Sequence, residues 1–205
     1  MKMIFDLAGV LLRWQPHEFL SRLLPERCTT PQATRDLTLS LFQGFGGDWS
    51  EFDRGTLDAG PLAQRISRRT GVLLREVRSV IDAIPDELQP VPASVDLLQR
   101  LHAMGKELYF LSNMPEPYAR HLEARHAFFQ MFRQGVFSAR VQLIKPEPAI
   151  FAHARDAFGI GDESVVFIDD VAVNVVAART AGWRAIQFHD AAQCESELAE
   201  IGAIS

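Results

Sequence analysis

Four polar clusters in this chain stand after runs of apolar residues. Asp6 follows Met3, Ile4 and Phe5, and Ser112 with Asn113 follows Tyr109, Phe110 and Leu111. Asp169 and Asp170 follow Val165, Val166, Phe167 and Ile168, and Lys145 comes just after Leu143 and Ile144. If the apolar runs are strands of one parallel sheet, the first three clusters end on one edge, and Lys145 reaches that edge from a loop. Three carboxylates, a hydroxyl, an amide and an ammonium then share one crevice. Crowded carboxylates repel and rise in pKa unless a cation joins them. A hard divalent ion with oxygen ligands relieves this, and Mg2+ is the usual one beside phosphate. A carboxylate such as Asp6 can attack phosphorus to form an aspartyl phosphate. Lys145 and the ion would neutralise charge on the transferring group. Ser112 and Asn113 would donate hydrogen bonds to its oxygens. Gly9, in the turn after Asp6, would let backbone N–H groups approach the phosphate closely.

Taken singly, each cluster has an ordinary reading. An Asp after a strand is often a cap or turn residue. Ser-Asn is a common turn pair, and a lysine before a proline is usually solvated. The Asp169–Asp170 pair is harder to explain that way, since two acids directly after four apolar residues need compensation. The shared placement after strands favours one site.

The elements that must position these residues are legible as patterns. Unbroken apolar runs predict strands at Lys2 to Phe5, Glu107 to Leu111, Gly135 to Phe137, Val165 to Ile168 and Ala185 to Phe188, buried on both faces as in a parallel sheet. Helical spacing is predicted at Pro92 to Met104, Ala149 to Phe158 and Val173 to Ala181, each followed by a glycine suited to a helix end. The alternation from residue 92 onward predicts an α/β fold with a Rossmann-like, doubly wound parallel sheet. Residues 15–89 differ. They contain predicted amphipathic helices at Glu18 to Leu24, Gln32 to Phe42, Pro61 to Thr70 and Leu74 to Ile84, with turn-rich breaks at 43–48 and 58–61. The expectation is a core of residues 1–14 and 90–205 and a small α-helical cap of residues 15–89, inserted after the first strand and lying over the crevice. The aromatic residues Trp14, Phe42, Phe45, Trp49 and Phe52 are expected mainly to pack this region.

Composition narrows the partners. Of 205 residues, 47% are apolar and 23% charged, enough for a proper core. The net charge of −5 argues against nucleic acid or an anionic membrane as partner. Cys28 and Cys194 read as free thiols of a reducing cytoplasm, and Asp6 interrupts the apolar N-terminus too early for a secretory signal.

The motifs resemble those of the haloacid dehalogenase-like hydrolase superfamily. IFDLAGVL is similar to its first motif, LSN to its second, KPEPAIF to its third and FIDDVAVNVVAARTAGW to its fourth. The resemblance implies a Rossmann-like core with a lid and a Mg2+-dependent phosphatase acting on a small phosphorylated metabolite. By the same resemblance Asp6 is the nucleophile and a metal ligand, and the Ala8 carbonyl is a second ligand. Ser112 and Asn113 bind the phosphoryl group, and Lys145 holds both Asp6 and phosphate. Asp170 binds the metal directly, with Asp169 acting mainly through a water. One position departs from the pattern: phosphatases of this kind usually carry an acid where this chain has Ala8. Relatives with glycine there resemble phosphatases of sugar phosphates such as glucose 1-phosphate. Ala8 therefore implies a substrate with a good leaving group, or a proton from the cap, where His17, Glu51 and Asp53 are candidates.

Three other readings share parts of the pattern. A 2-haloacid dehalogenase also lacks the second acid but has no use for an acidic pair without a metal. A catalytically weak member that binds metal and phosphate would not be expected to keep every motif. A phosphorelay receiver places its acidic pair early in the chain, not last.

Overall fold

A computed structural model describes residues 1–44, 46–161 and 165–204. Five strands form one parallel sheet: β1 (Lys2–Phe5), β2 (Glu107–Ser112), β3 (Gln134–Phe137), β4 (Val165–Asp169) and β5 (Arg184–Gln187). Their order is β3-β2-β1-β4-β5. The strand order reverses at β1, so the crevice beyond its carboxyl end is the expected ligand position in an open parallel sheet. The register aligns Phe5 with Phe110 on one side and Ile168 on the other, which brings Asp6, the end of β2 and the end of β4 to one edge.

Both faces of the sheet are covered, which explains the unbroken apolar strands. On one face Met3, Phe5, Leu108 and Ile168 pack with α6 (Pro92–Ala103), α7 (Glu116–Arg125) and α11 (Ala191–Glu200). On the other, Ile4, Leu111 and Phe167 pack with α9 (Pro148–Ala157) and α10 (Ala172–Thr180). Burying each such side chain contributes about 1.5–3 kcal/mol, so the sheet is held chiefly by these two layers.

Between β1 and α6 lie five helices: α1 (Pro16–Leu23), α2 (Pro31–Phe42), α3 (Gly47–Arg54), α4 (Ala59–Thr70) and α5 (Leu74–Glu87). Four match predicted helices, with ends differing by one to three residues. Helix α3 was not predicted. Its eight residues start on glycine and overlap the turn-rich stretch 43–48, so composition masks it. Helices α7 and α11 are likewise absent from the sequence reading, as is α8 (Ser138–Val141), a single turn after β3. The chain leaves the core and returns at neighbouring points: Arg13 N–H donates to the Gln89 carbonyl at 2.7 Å and Val91 N–H to the Leu11 carbonyl at 2.9 Å.

Aromatic rings run in edge-to-face contact from Trp14 to Phe42, Trp49, Phe52 and Tyr118, with centroids 4.7–5.8 Å apart. Phe42 and Phe52 pack as expected, whereas Trp14 and Trp49 also line a cavity described below. Phe45 lies outside the described residues. Both cysteines are free thiols, and among the described residues no helix is long and apolar enough to cross a membrane.

Candidate active site

Strand ends deliver the acids. Asp6 follows β1 directly, Asp169 is the last residue of β4, and Asp170 is next to it. Each of the three offers a carboxylate oxygen within 4.8 Å of the others. Lys145 sits among them, only 1% exposed, with Nζ 2.9 Å from Asp6 Oδ1 and 2.7 Å from Asp169 Oδ2. One buried ammonium thus pairs two buried carboxylates.

The two neighbouring acids of β4 have different environments. Asp169 is fully buried, and both its oxygens are engaged. Oδ1 accepts from Val171 N–H at 2.8 Å, Oδ2 from Lys145, and the Asn174 amide donates to both at 3.1 and 3.2 Å. Asp170 Oδ1 is buried without a hydrogen-bond partner. A buried, unpartnered carboxylate oxygen is costly unless something binds it. Asp170 is therefore the acid left for a direct ligand, while Asp169 orients Lys145. Asn174 is a site residue that the sequence reading missed. Its signal is an amide in the first turn of the helix that follows the acidic pair.

Burial raises Asp6 to about 7, helped by the charges of Asp169 and Asp170 and opposed by Lys145. Burial and Asp169 raise Asp170 to about 6 against the pull of Lys145. Burial alone would lower Lys145, but Asp169 and Asp6 more than offset it, and its pKa is raised. Three clustered acids, two of them held up, fit a hard divalent cation better than empty space. Asp6 and Asp170 have the oxygens to hold one. The Ala8 backbone, in the turn between them, adds a carbonyl of the right chemistry.

Ser112 ends β2, is 1% exposed, and its Oγ has no partner. A buried hydroxyl facing no protein acceptor suits an oxyanion. The Asn113 side chain, expected to donate to phosphate oxygens, also makes two hydrogen bonds within the protein. Its Oδ1 accepts from Lys145 N–H at 2.8 Å, and its Nδ2 donates to the Lys145 carbonyl at 2.9 Å. Asn113 therefore fixes the Lys145 backbone, and the second N–H of its amide remains for another acceptor.

Gly9 lies in the turn after Asp6 whose backbone N–H groups are expected to approach the phosphate. Its N–H is taken by the Leu12 carbonyl at 2.8 Å, so it supplies space rather than a donor. It has φ of +84°, and a Cβ there would stand 2.3 Å from Asp170 Oδ2. Gly9→Ala is expected to cost about 1–2 kcal/mol in backbone strain alone. It should also displace the Asp170 carboxylate and weaken Mg2+ binding at least about tenfold, a loss of ~1.4 kcal/mol. Thermal melts and calorimetric Mg2+ titration check both; unchanged Mg2+ affinity would argue against Asp170 as a ligand.

Above this group lies a cavity of about 100 Å3 between the inserted helices and the core. Ala8 and Asn113 line its sheet side, and Trp14, Trp49, Ile84, Leu88, Met114 and Tyr118 give it apolar walls. Asp53, from α3, lines it too. Burial and the charge of Asp6 raise Asp53 to about 7, with Lys145 opposing. The other two candidate proton donors lie elsewhere. His17 is exposed beside a separate surface cleft, and Glu51 is exposed and paired with Arg65 at 2.9 Å.

The haloacid dehalogenase-like hydrolase family model matches residues 3–182. A sesquiterpene phosphatase, astK, of Aspergillus oryzae is 23% identical over 199 residues, covering 97% of this chain and 94% of that protein. A phosphoglycolate phosphatase of Pasteurella multocida is 25% identical over 187 residues, covering 87% and 80%. Among solved structures, a HAD family enzyme of Bacteroides thetaiotaomicron in complex with magnesium and inorganic phosphate has a TM-score of 0.69. It is 19% identical, with 92% of this chain and 94% of that one covered, a likeness of fold. With a match that runs from β1 through β4 and takes in the inserted helices and every acid of the site, the chain belongs to the haloacid dehalogenase-like hydrolase family.

Proposed function

We propose that the protein is a Mg2+-dependent phosphatase that hydrolyses a small phosphorylated metabolite through an aspartyl phosphate on Asp6. The observation that carries this reading is Lys145 buried between Asp6 and Asp169, beside the unpartnered Asp170 oxygen and Ser112 hydroxyl. In this reading residues 1–14 and 90–205 are the catalytic core, residues 15–89 the cap, and the location is the reducing cytoplasm.

The roles follow from the geometry. Asp6 Oδ1 accepts from Leu7 N–H at 2.7 Å and from Lys145. That fixes the carboxylate and leaves the other oxygen to attack phosphorus in line with the leaving alcohol. Lys145 and the Ser112 hydroxyl face the oxygens of the transferring group, where fixed charge and donors lower the barrier most. Asp6, Asp170 and the Ala8 carbonyl would hold the cation, which supplies charge neutralisation at the phosphoryl oxygens. Asp169, with Asn174, keeps Lys145 charged and aimed.

The cavity lining bears on the alcohol half of the substrate. The Tyr118 hydroxyl donates to the Ile81 carbonyl at 2.7 Å, and the Asn113 amide spends one of its two N–H donors on the Lys145 carbonyl. Apart from Asp53 and Asn113 the lining side chains are apolar or aromatic, so a sugar would find few side-chain partners for its hydroxyls, at a cost in unmade hydrogen bonds. We therefore place an apolar or aromatic phosphate ester ahead of the sugar phosphates that the residue at position 8 suggested. The phosphatase names of the two relatives support the reaction, and the terpene substrate of one agrees with the walls.

The test is phosphate release from a panel of sugar phosphates, nucleotides, acyl phosphates, phosphoglycolate and prenyl or aryl phosphates, with and without Mg2+. Asp6→Asn is the control. Preference for sugar phosphates over apolar esters would reverse the substrate assignment. Metal-independent chloride release from 2-chloropropionate would replace the phosphatase reading with dehalogenation.

Metal binding should depend on pH in a definite direction. Asp6 and Asp170 must lose protons that they hold up to about 7 and about 6, so the cation competes with protons below those values. Mg2+ affinity is expected to rise at least about tenfold from pH 5 to pH 8. Calorimetry at several pH values measures it, and a flat profile would exclude these acids as ligands.

A further inference from the structure

The proton that Ala8 cannot give has another source in the molecule. Among the described residues, the cavity over Ala8 has one carboxyl in its lining, that of Asp53. We propose that Asp53, carried by cap helix α3, is the catalytic acid and base of the reaction, in place of an acid at position 8. The proposal rests on the phosphatase reading above.

Three contacts fix Asp53 relative to the core. Its backbone carbonyl accepts from Ser138 Oγ at 2.5 Å, and the same Oγ accepts from Met114 N–H at 2.8 Å. The next residue, Arg54, reaches Glu147 with two nitrogens, at 2.9 and 2.5 Å, and the Gln142 carbonyl at 3.1 Å. Gly55 then closes against Ala139, where a Cβ would stand 2.7 Å from the backbone oxygen. The α3 C-terminus is thus tied on both sides to the segment that leads into Lys145. The backbone that carries Asp53 is thus fixed beside the cavity that this residue lines, and burial and the charge of Asp6 raise its carboxyl, so a protonated fraction is present near neutral pH.

The chemistry balances. As Asp6 attacks phosphorus, the bond to the ester oxygen breaks and the Asp53 proton goes to that oxygen, releasing the alcohol. The Asp53 carboxylate then takes a proton from water as the water oxygen attacks phosphorus. The bond to Asp6 breaks, inorganic phosphate leaves, and Asp53 is protonated again.

The experiment compares wild type, Asp53→Asn, Asp53→Ser and the double variant Ala8→Asp/Asp53→Asn on an alkyl phosphate and on 2,4-dinitrophenyl phosphate. Positioned acid catalysis is worth about 10²–10⁴-fold, so turnover of the alkyl ester should fall by that factor in both single variants. With the dinitrophenyl ester, whose leaving group needs no proton, the first turnover should survive as a burst. The enzyme should then stall with one phosphoryl group on Asp6, visible by intact mass. Ala8→Asp should restore alkyl ester turnover in the double variant. Equal loss on both esters without trapped phosphoenzyme would make Asp53 structural and overturn the proposal, as would unchanged turnover. Absence of Mg2+-dependent phosphate release in the wild type would instead overturn the phosphatase reading itself.

Discussion

Asp6→Asn is expected to lower phosphate release by about 10⁴-fold or more, since removal of a nucleophile leaves only binding and charge stabilisation behind. The substitution keeps shape. An Asn oxygen can still accept from Leu7 N–H and Lys145, but the side chain cannot form an acyl phosphate. Loss of activity should therefore come without loss of fold. Stability gives a second signature. Asp6 is raised from 3.8 to about 7 in the folded protein, so the fold favours its protonated form. That contribution is fully present below about 3.8 and lost as pH rises through about 7. Asn has no such titration. Without Mg2+, the melting temperature of Asp6→Asn relative to wild type should climb between pH 4 and pH 8. A variant that keeps more than about one hundredth of wild-type turnover would remove Asp6 from the nucleophile position.

Lys145→Met should be the most damaging change to the fold within the site. Met fills similar volume but leaves Asp6 and Asp169 facing each other in a buried space with no cation between them. Removing one partner of a buried ion pair costs about 3–5 kcal/mol. Removing the ammonium also loses its contact over the Phe167 ring, at 5.4 Å. Activity should fall by on the order of 10²–10³-fold, as for loss of one preorganised charge donor. Lys145→Arg is not expected to rescue it, because a planar guanidinium is too large for a position 1% exposed and pinned by Asn113. Chemical denaturation with and without Mg2+ measures the first effect. A loss smaller than about 1 kcal/mol would show that the acids relax or take up protons instead.

The sheet was legible because its strands are buried on both faces, and that demand is written as unbroken apolar runs such as Val165 to Ile168. Each predicted strand lies within one residue of its observed bounds at either end. The acids were legible because they stand immediately after those runs. What escaped was set by tertiary contacts. Helix α3 has eight residues beginning Gly-Asp and is stabilised by Trp49 and Phe52 packing inward and by Arg54 reaching the core. No local pattern shows that. Asp53, Glu51 and His17 were equal candidates in sequence, and only the placement of α3 separates them. The pair of hydrogen bonds between the Asn113 side chain and the Lys145 backbone joins residues 32 apart, so no local pattern shows it.

The two backbone crossings at Leu11 to Arg13 and Gln89 to Val91 lie side by side, so the chain enters and leaves the helical insertion at one place beyond the end of β1. The sheet closes without it. If the proposed division of labour holds, such an arrangement would let lineages exchange the part that chooses the ester while leaving the phosphoryl chemistry untouched. Here the exchange would have a condition attached. With Asp53 on the insertion and Ala8 on the core, a transplanted cap brings or loses the proton source along with the selectivity. A graft onto this core would work on unactivated esters only if it carried its own acid or if position 8 regained one.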